Sequence, residues 1–520
     1  MIIGTRGSQL ALWQANYTQQ ILSKNQIESE IKIIQTKGDV SQSWNTSFDK
    51  LEGKGFFTKE LEDALLNNEI DLAVHSCKDL PTVFPPGLTI TAYSKRANPF
   101  DVLLIKKDKI DITLPLKLKE GVVVGTSSSR RKAQLLSYRK DIQIKDIRGN
   151  VPTRIAKLAN GEFDAILLAQ AGIDRLEIDI SDFEVVPLEA PMFIPAAAQG
   201  ILAYQIREHD TETQQICNIL HDTEDAEISG LERKILNAFD GGCQVPLAIY
   251  VKKEIQYHIW ISLAQAWNGM PFRTHHQYQN LADVDVQSLV NQIKNPEPKK
   301  VFISSNLQEE SFFKTNLEAH QYKVEGVSLL DFKAEQFDKN IINTADWIFF
   351  SSKHAIDFFI PEYSQEELKN KKIAVLGKGT EQQLRKYGIA ADFIGDGHGD
   401  VSARLFEQQL NSTVNVLFPC ATQSLYQVQN HFSKNLINVT NISVYQNIMK
   451  EVSSKIDADI LVFTSPMNAK AYFSKFPKED FQTIISIGRS TASILMEMNI
   501  EHRTAYLPYE YCLVDEVLSV

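Results

Sequence analysis

"VVVGTSSSRRKAQLLSYRKDIQIKDIRGNVPTRIAKLANGEFDAILLA", residues 122–169, decides how the fold is read. "VVVGTS" (122–127) is a short apolar run closed by Gly and Ser, the mark of a buried strand. The serines that follow suit a helix N-terminus, so "SSSRRKAQLLSYR" (127–139) predicts a capped helix. "IQIKDI" (142–147) predicts a strand, and "VPTRIAKLANG" (151–161) a helix with Pro near its start and Gly at its end. "FDAILLA" (163–169) predicts the next strand. Strand and helix in strict alternation imply an α/β architecture, with parallel or mixed sheets and helices on both faces. "IDLAVHS" (70–76) reads as a further buried strand of the same kind.

Working outward, 520 residues are too many for one core, so several domains are expected. "QIKNPEPKK" (292–300) reads as a linker between two patterned regions. Before it, "EIQYHIWISLAQ" (254–265) alternates like a half-exposed strand, which predicts a small third domain with one solvated sheet face. After it the chain echoes itself. "DWIFFSSKHAIDFF" (346–359) pairs with "DILVFTSPMNAKAYF" (459–473), and "KIAVLGKGTEQQL" (372–384) with "TIISIGRSTASIL" (483–495). In the second pair a strand ends in Gly and a Thr is read as opening the helix, so two related α/β lobes are expected.

The bulk composition excludes several classes. A net charge of -11 argues against a general nucleic-acid binder, whose affinity rests on neutralising phosphates. No apolar run is long enough to span a bilayer, and the start "MIIGTRGSQLALWQ" lacks a signal-peptide layout. Five scattered cysteines have no metal spacing and suit a reducing cytoplasm better than a disulfide framework. A cytoplasmic monomer without metal is the expectation.

The chemistry-bearing residues are mostly cations placed just after strands, where open α/β sheets bind ligands: Arg6, Lys78, Arg130, Arg131, Arg148 and Arg154, with Lys54 and Lys59 nearby in sequence. Guanidinium groups pair with carboxylates through two parallel hydrogen bonds, so the set implies a ligand carrying several carboxylates. Asp79 stands among these cations, where it should stay ionised and could stabilise positive charge or shuttle a proton. Cys243 follows two glycines in "GGCQVP". That turn permits close approach by a bulky group. The residues alone leave a reactive thiol and an inert turn thiol equally open.

"GTRGSQLALWQA", "GKGFFTKELEDALL", "DLAVHSCKDLP", "VGTSSSRRKAQL", "RGNVPTRIAKLANGEFDAILLAQAG", "AAAQG" and "GGCQVP" occur in order through residues 1–290. Together they resemble the hydroxymethylbilane synthase (porphobilinogen deaminase) family. The resemblance implies two periplasmic-binding-like α/β lobes, 1–94 plus 195–215 and 95–194, and a small α+β domain, 216–290. It implies a dipyrromethane cofactor joined to Cys243 by a thioether, with Lys78, Asp79, Thr126, Ser128, Arg130 and Arg131 around it. Arg6, Ser8, Phe57, Arg148, Arg154 and Gln199 would receive substrate. Asp79, with Lys78 as its catalytic companion, would steady the cationic azafulvene formed as ammonia leaves porphobilinogen, through four additions. Two departures stand out: Ser129 where an apolar residue is expected, and "AAAQG" in place of a turn richer in Gly. The polar stretch 41–55 is expected to form a lid.

After a linker at 291–299, "FFSS", "VLGKGT", "SVYQNI", "VFTSP" and "SIGRST" resemble the uroporphyrinogen-III synthase family across 300–520. The resemblance implies lobes at 300–330 plus 446–520 and at 331–445. It also implies cyclisation of hydroxymethylbilane with inversion of one ring. Tyr445 would assist loss of the hydroxyl, and Thr380 and Ser465 would bind carboxylates. Two alternatives stand beside this bifunctional enzyme. One is a deaminase with an inactive second half. The other is a ligand sensor, which would need neither Cys243 nor Asp79.

Overall fold

The computed structural model describes residues 1–35, 58–240, 245–424, 426–433 and 436–520. They form two compact units, one built mainly from Met1–Ile110 and Leu118–Glu297, the other mainly from Pro298–Leu518.

The first unit contains two sheets of the same design. In one, Glu30–Ile33, Ile2–Thr5 and Leu72–Ser76 run parallel, and Leu202–Arg207 lies antiparallel between Leu72–Ser76 and Leu88–Tyr93. In the other, Gln143–Lys145, Val123–Gly125 and Ala165–Ala169 run parallel, followed by antiparallel Asp101–Lys106 and then Phe183–Leu188. The chain leaves the first sheet after Tyr93 and returns to it at Leu202, so residues 94–100 and 189–201 are the two crossings between lobes.

The local chemistry explains the helices. Ser128 accepts the N–H of Arg131 at 3.5 Å and caps Ser129–Tyr138. Asn150 accepts the N–H of Thr153 at 3.0 Å and caps Val151–Ala159, with Pro152 in the first turn. Ser129 is the first residue of its helix, where an apolar side chain is not demanded. Ala198, in the turn that is poorer in Gly, adopts φ 57°. A side chain in that region costs roughly 1–2 kcal/mol. The turn is held by the Ala198 N–H donating to Glu232 Oε2 at 2.5 Å. At Gly200, φ 91°, a Cβ would meet Ala97 O at 2.6 Å, so the close approach of the two crossings requires glycine there.

The third sheet, Leu247–Lys253, Tyr257–Leu263 and Phe272–Tyr278, corrects an expectation. Its alternating strand does not present a solvated face: Ile259, Trp260 and Ile261 are all buried. Polar side chains of that face are held inside the protein instead. Trp260 stacks between Tyr250 and His275, and His258 Nδ1 lies 3.0 Å from His275 Nε2. Arg273 donates to the carbonyls of Pro191 and Met192. Helix Val286–Lys294 runs into the stretch read as a linker, leaving a shorter connection before strand Lys300–Ile303.

The second unit has two sheets among the described residues. One is wholly parallel, in the order Lys323–Gly326, Lys300–Ile303, Ile460–Phe463, Thr483–Ser486, Arg503–Thr504. The other runs Leu330–Ala334, Ile437–Met449, Val414–Ala421, Trp347–Phe350, Lys372–Val375, Phe393–Ile394, and its first pair is antiparallel. Phe349 stacks on Phe418 at 5.0 Å and meets Phe406 edge-on at 5.4 Å, anchoring this core. Such pairs contribute about 0.5–1.5 kcal/mol each beyond area burial. The repeated strand–turn–helix segments occupy equivalent places, but the helix starts differ from the reading. Gly377 and Gly488, both extended, precede helices Lys378–Arg385 and Arg489–Glu497, so Thr380 and Thr491 lie within the first turn.

Candidate functional site

Strand Leu72–Ser76 ends in a single 3₁₀ turn, Cys77–Asp79, which turns Cys77 into the core and leaves Asp79 exposed. A cavity beside this turn is lined by Arg6, Ser8, Gln14, Thr58, His75, Ser76 and Asp79, among others. It brings together Arg6 and Ser8 from the loop after the first strand with Asp79 from the loop after the third. Ser8 also caps helix Gln9–Lys24 by accepting the N–H of Ala11 at 3.4 Å. His75 Nε2 donates to Gln205 Oε1 at 3.0 Å, and burial brings its imidazole down to about 4.

Lys78 faces the other lobe. Its ammonium donates to Gln199 Oε1 at 3.2 Å, and Gln199 Nε2 donates to Asp101 Oδ1 at 3.0 Å and to Pro99 O at 2.6 Å. Asp101 is the hub. Arg131 Nη2 donates to Asp101 Oδ1 at 2.7 Å, and Arg130 Nη1 pairs with Oδ2 at 2.8 Å. Burial alone would raise the Asp101 carboxyl, but the two guanidinium groups overcome it and hold the group well below the usual carboxylate range. Arg130 also donates to Ile194 O and Arg131 to Leu167 O. The adjacent arginines are thus buried and clamped, and do not stand open to solvent as strand-end cations usually do.

Arg154 donates Nε–H to Gly149 O at 2.8 Å. Burial first, and then Arg131, lower its guanidinium to about 10, with Asp79 opposing, so Arg154 lies within electrostatic reach of both. Arg148 is half-buried in the loop just before. Thr126 is buried, and its hydroxyl accepts the N–H of Ser128 at 3.3 Å. Cys243, Phe57, Lys54 and the stretch 41–55 lie outside the described residues.

Sequence reasoning missed Asp101, Arg96 and Arg175. Arg96 grips the buried Glu232 with both terminal nitrogens and donates Nε–H to Gln199 O at 2.9 Å. Arg175 donates to Gly200 O at 2.7 Å and lies 5.5 Å above the Trp13 ring. One signal was available for Asp101: in "NPFDVLLI" a carboxylate opens a wholly apolar strand, and a charge so placed needs a buried partner.

In the second unit Tyr445 is buried in strand Ile437–Met449 with its hydroxyl 3.2 Å from Ser352 Oγ. Phe358 stacks on its ring at 5.3 Å, and the rings of Phe332 and His354 lie at 6.0 and 6.1 Å. Burial raises the Tyr445 phenol, keeping it a proton donor. Ser465 accepts from Asn468 N and Nδ2 and caps helix Pro466–Phe473, while the Thr380 N–H donates to Gly377 O at 3.0 Å. The contacts seen for these two residues belong to their own helix starts.

Two family models match the chain. Porphobilinogen deaminase, dipyromethane cofactor binding domain, matches residues 1–215, and Uroporphyrinogen-III synthase HemD matches residues 311–508. The porphobilinogen deaminase of Maridesulfovibrio salexigens is 46% identical over 255 residues, taking in 48% of this chain and 80% of that protein. That of Helicobacter acinonychis is 44% identical over 254 residues, 48% of this chain and 79% of the relative. Among solved structures, uroporphyrinogen-III synthetase from Helicobacter pylori aligns with 42% of this chain and 97% of its own, at 23% identity and a TM-score of 0.32.

Proposed function

The chain belongs to the porphobilinogen deaminase family, and from that premise we propose that its first unit joins four porphobilinogen units, with loss of ammonia, into linear hydroxymethylbilane. One observation carries the site assignment. Lys78, Arg130 and Arg131 gather round Asp101 through hydrogen bonds and ion pairs, and Arg154 lies within electrostatic reach of Arg131 and Asp79, so four cations stand with two carboxylates. Arg131 Nε is buried without a hydrogen-bond partner. A buried donor and surplus positive charge suit the acetate and propionate groups of a pyrrole chain.

The same donors fit the dipyrromethane cofactor of the family. In this reading Arg130, Arg131 and Lys78 hold its carboxylates, beside Thr126 and Ser128, and Cys243 is its point of attachment. When bound, the cofactor supplies the pyrrole position to which the first unit is joined. Arg6, Ser8, Arg148 and Arg154, with Phe57 and Gln199, orient the incoming substrate. Asp79, open to the cavity beside Arg6 and Ser8, faces the pyrrole nitrogens and stabilises positive charge as ammonia departs. A fixed carboxylate lowers that barrier because it needs no reorganisation at the moment of reaction.

The second unit, in this proposal, closes hydroxymethylbilane to uroporphyrinogen III. Its HemD match and the buried Tyr445 phenol support the reading. Tyr445 delivers a proton to the departing hydroxyl, Ser352 fixes the orientation of the phenol, and Thr380 and Ser465 face carboxylates of the substrate. Holding one conformer of a flexible chain is the larger part of the catalysis. We place the protein in the cytoplasm as a monomer. Among the described residues, no helix is long and apolar enough to cross a membrane. The sensor reading gives way to family membership. Incubation of the full chain with porphobilinogen tests both activities. Uroporphyrinogen III is the expected product, read as uroporphyrin III after oxidation and isomer separation. The type I isomer alone overturns the second activity, and unconsumed porphobilinogen overturns the first.

A further inference from the structure

We propose that Asp101 is a positioning residue of the deaminase site, gathering Arg130 and Arg131 with its carboxylate and aligning Lys78 with them through the amide of Gln199. The inference rests on the deaminase reading and deepens it. Asp101 opens the strand Asp101–Lys106 of one lobe, Lys78 follows the strand Leu72–Ser76 of the other, and Gln199 lies in the returning crossing. Three side chains therefore tie both lobes and a crossing into one hydrogen-bonded chain: Lys78 Nζ to Gln199 Oε1 at 3.2 Å, and Gln199 Nε2 to Asp101 Oδ1 at 3.0 Å. The direction of the amide is set by its ends, since an ammonium can only donate and an ionised carboxylate can only accept.

The charge arrangement says why a carboxylate stands there. Two adjacent guanidinium groups in a buried setting repel each other unless an anion lies between them. Asp101 binds one terminal nitrogen of each arginine, Arg130 Nη1 and Arg131 Nη2. It leaves Arg131 Nε uncommitted. The arginines are thus held in place without being fully neutralised, which is what a site for further carboxylates needs. Lys78 depends on the same balance. Burial pulls its ammonium down first, Asp79 and Asp101 oppose that, and Arg131 and Arg130 add to it. Without the Asp101 charge, Lys78 would lose its proton at lower pH.

The test compares the full-length parent with Asp101→Asn, Asp101→Glu and Gln199→Met. Three quantities are read: the loaded fraction by intact mass, the melting temperature, and kcat/KM for porphobilinogen against pH. For Asp101→Asn the expected result is a smaller loaded fraction, a KM raised roughly tenfold or more, and an alkaline limb moved to lower pH. Asp101→Glu keeps the charge and should restore that limb. Gln199→Met keeps both arginine pairs, removes the amide that joins Lys78 to Asp101 and to Pro99 O, and should move the limb in the same direction by less. Asp101→Asn with parental loading, KM and limb overturns the proposal. If Asp101→Asn does not fold, Gln199→Met decides, and an unchanged limb there overturns it. A parent that neither carries the cofactor mass nor consumes porphobilinogen is a different failure. It removes the deaminase reading itself, and this inference with it.

Discussion

Glu232 receives Arg96 through two parallel contacts, Nη1 to Oε1 at 2.8 Å and Nη2 to Oε2 at 3.1 Å. The carboxylate also accepts the backbone N–H of Val251 at 2.8 Å and that of Ala198. One buried anion thus ties helix Thr223–Ala238 to both a crossing between the lobes and the third sheet. Removing one partner of a buried pair leaves the other charge unpaired, at a cost of roughly 3–5 kcal/mol. Glu232→Gln should therefore melt well below the parent in calorimetry of the full chain. A melting temperature equal to the parent's would show that the pair contributes nothing net.

Asp79 is exposed and positioned by a single turn, so the proposed mechanism gives it a chemical task and little part in stability. Asp79→Asn should retain the parental melting temperature while kcat falls by about 10²–10³, the usual loss of a preorganised electrostatic contact. Steady-state kinetics on porphobilinogen would separate this from a binding defect, which would raise KM and spare kcat.

Tyr445→Phe removes only the hydroxyl that meets Ser352. The lost hydrogen bond should cost about 0.5–1.5 kcal/mol of stability. Porphobilinogen consumption should be unaffected. The product should shift from type III towards type I uroporphyrinogen, because uncatalysed closure competes with the weakened second step. Isomer ratios at fixed turnover measure this directly.

The pH dependence has a definite sign. His75 and His354 titrate near 4 in the folded chain, both chiefly through burial, against an ordinary value of 6.5. The unfolded chain binds protons at these sites first as pH falls. Their stabilising contribution is therefore complete above about 6.5 and is lost progressively down to about 4. For the deeply buried His75 the loss is about 3 kcal/mol. Urea midpoints measured across that window should fall with acid, and His75→Asn should flatten the slope. A parental slope in the variant would remove His75 as its cause.

The strand–helix alternation was legible because each boundary has a local cause: the Ser128 and Asn150 hydroxyl and amide caps, the early Pro152, and the Gly161 turn. The third sheet was not, because alternation reports polarity and His258 and His275 satisfy theirs on each other inside the protein. Thr380 was misplaced as a helix opener because an extended glycine can precede a helix without offering a capping side chain. In the site, the strand-end cations were legible as a set, but their common anchor Asp101 was not. The pairing of Asp101 with Arg130 and Arg131 depends on how the strand Asp101–Lys106 and the helix Ser129–Tyr138 meet in space.

Intact mass of the purified chain beside Cys243→Ser tests the central claim most directly. The parent should exceed its sequence mass by two linked pyrrole units and the variant should not, with porphobilinogen turnover lost in parallel. A parent that stays at its sequence mass after incubation with porphobilinogen would contradict it.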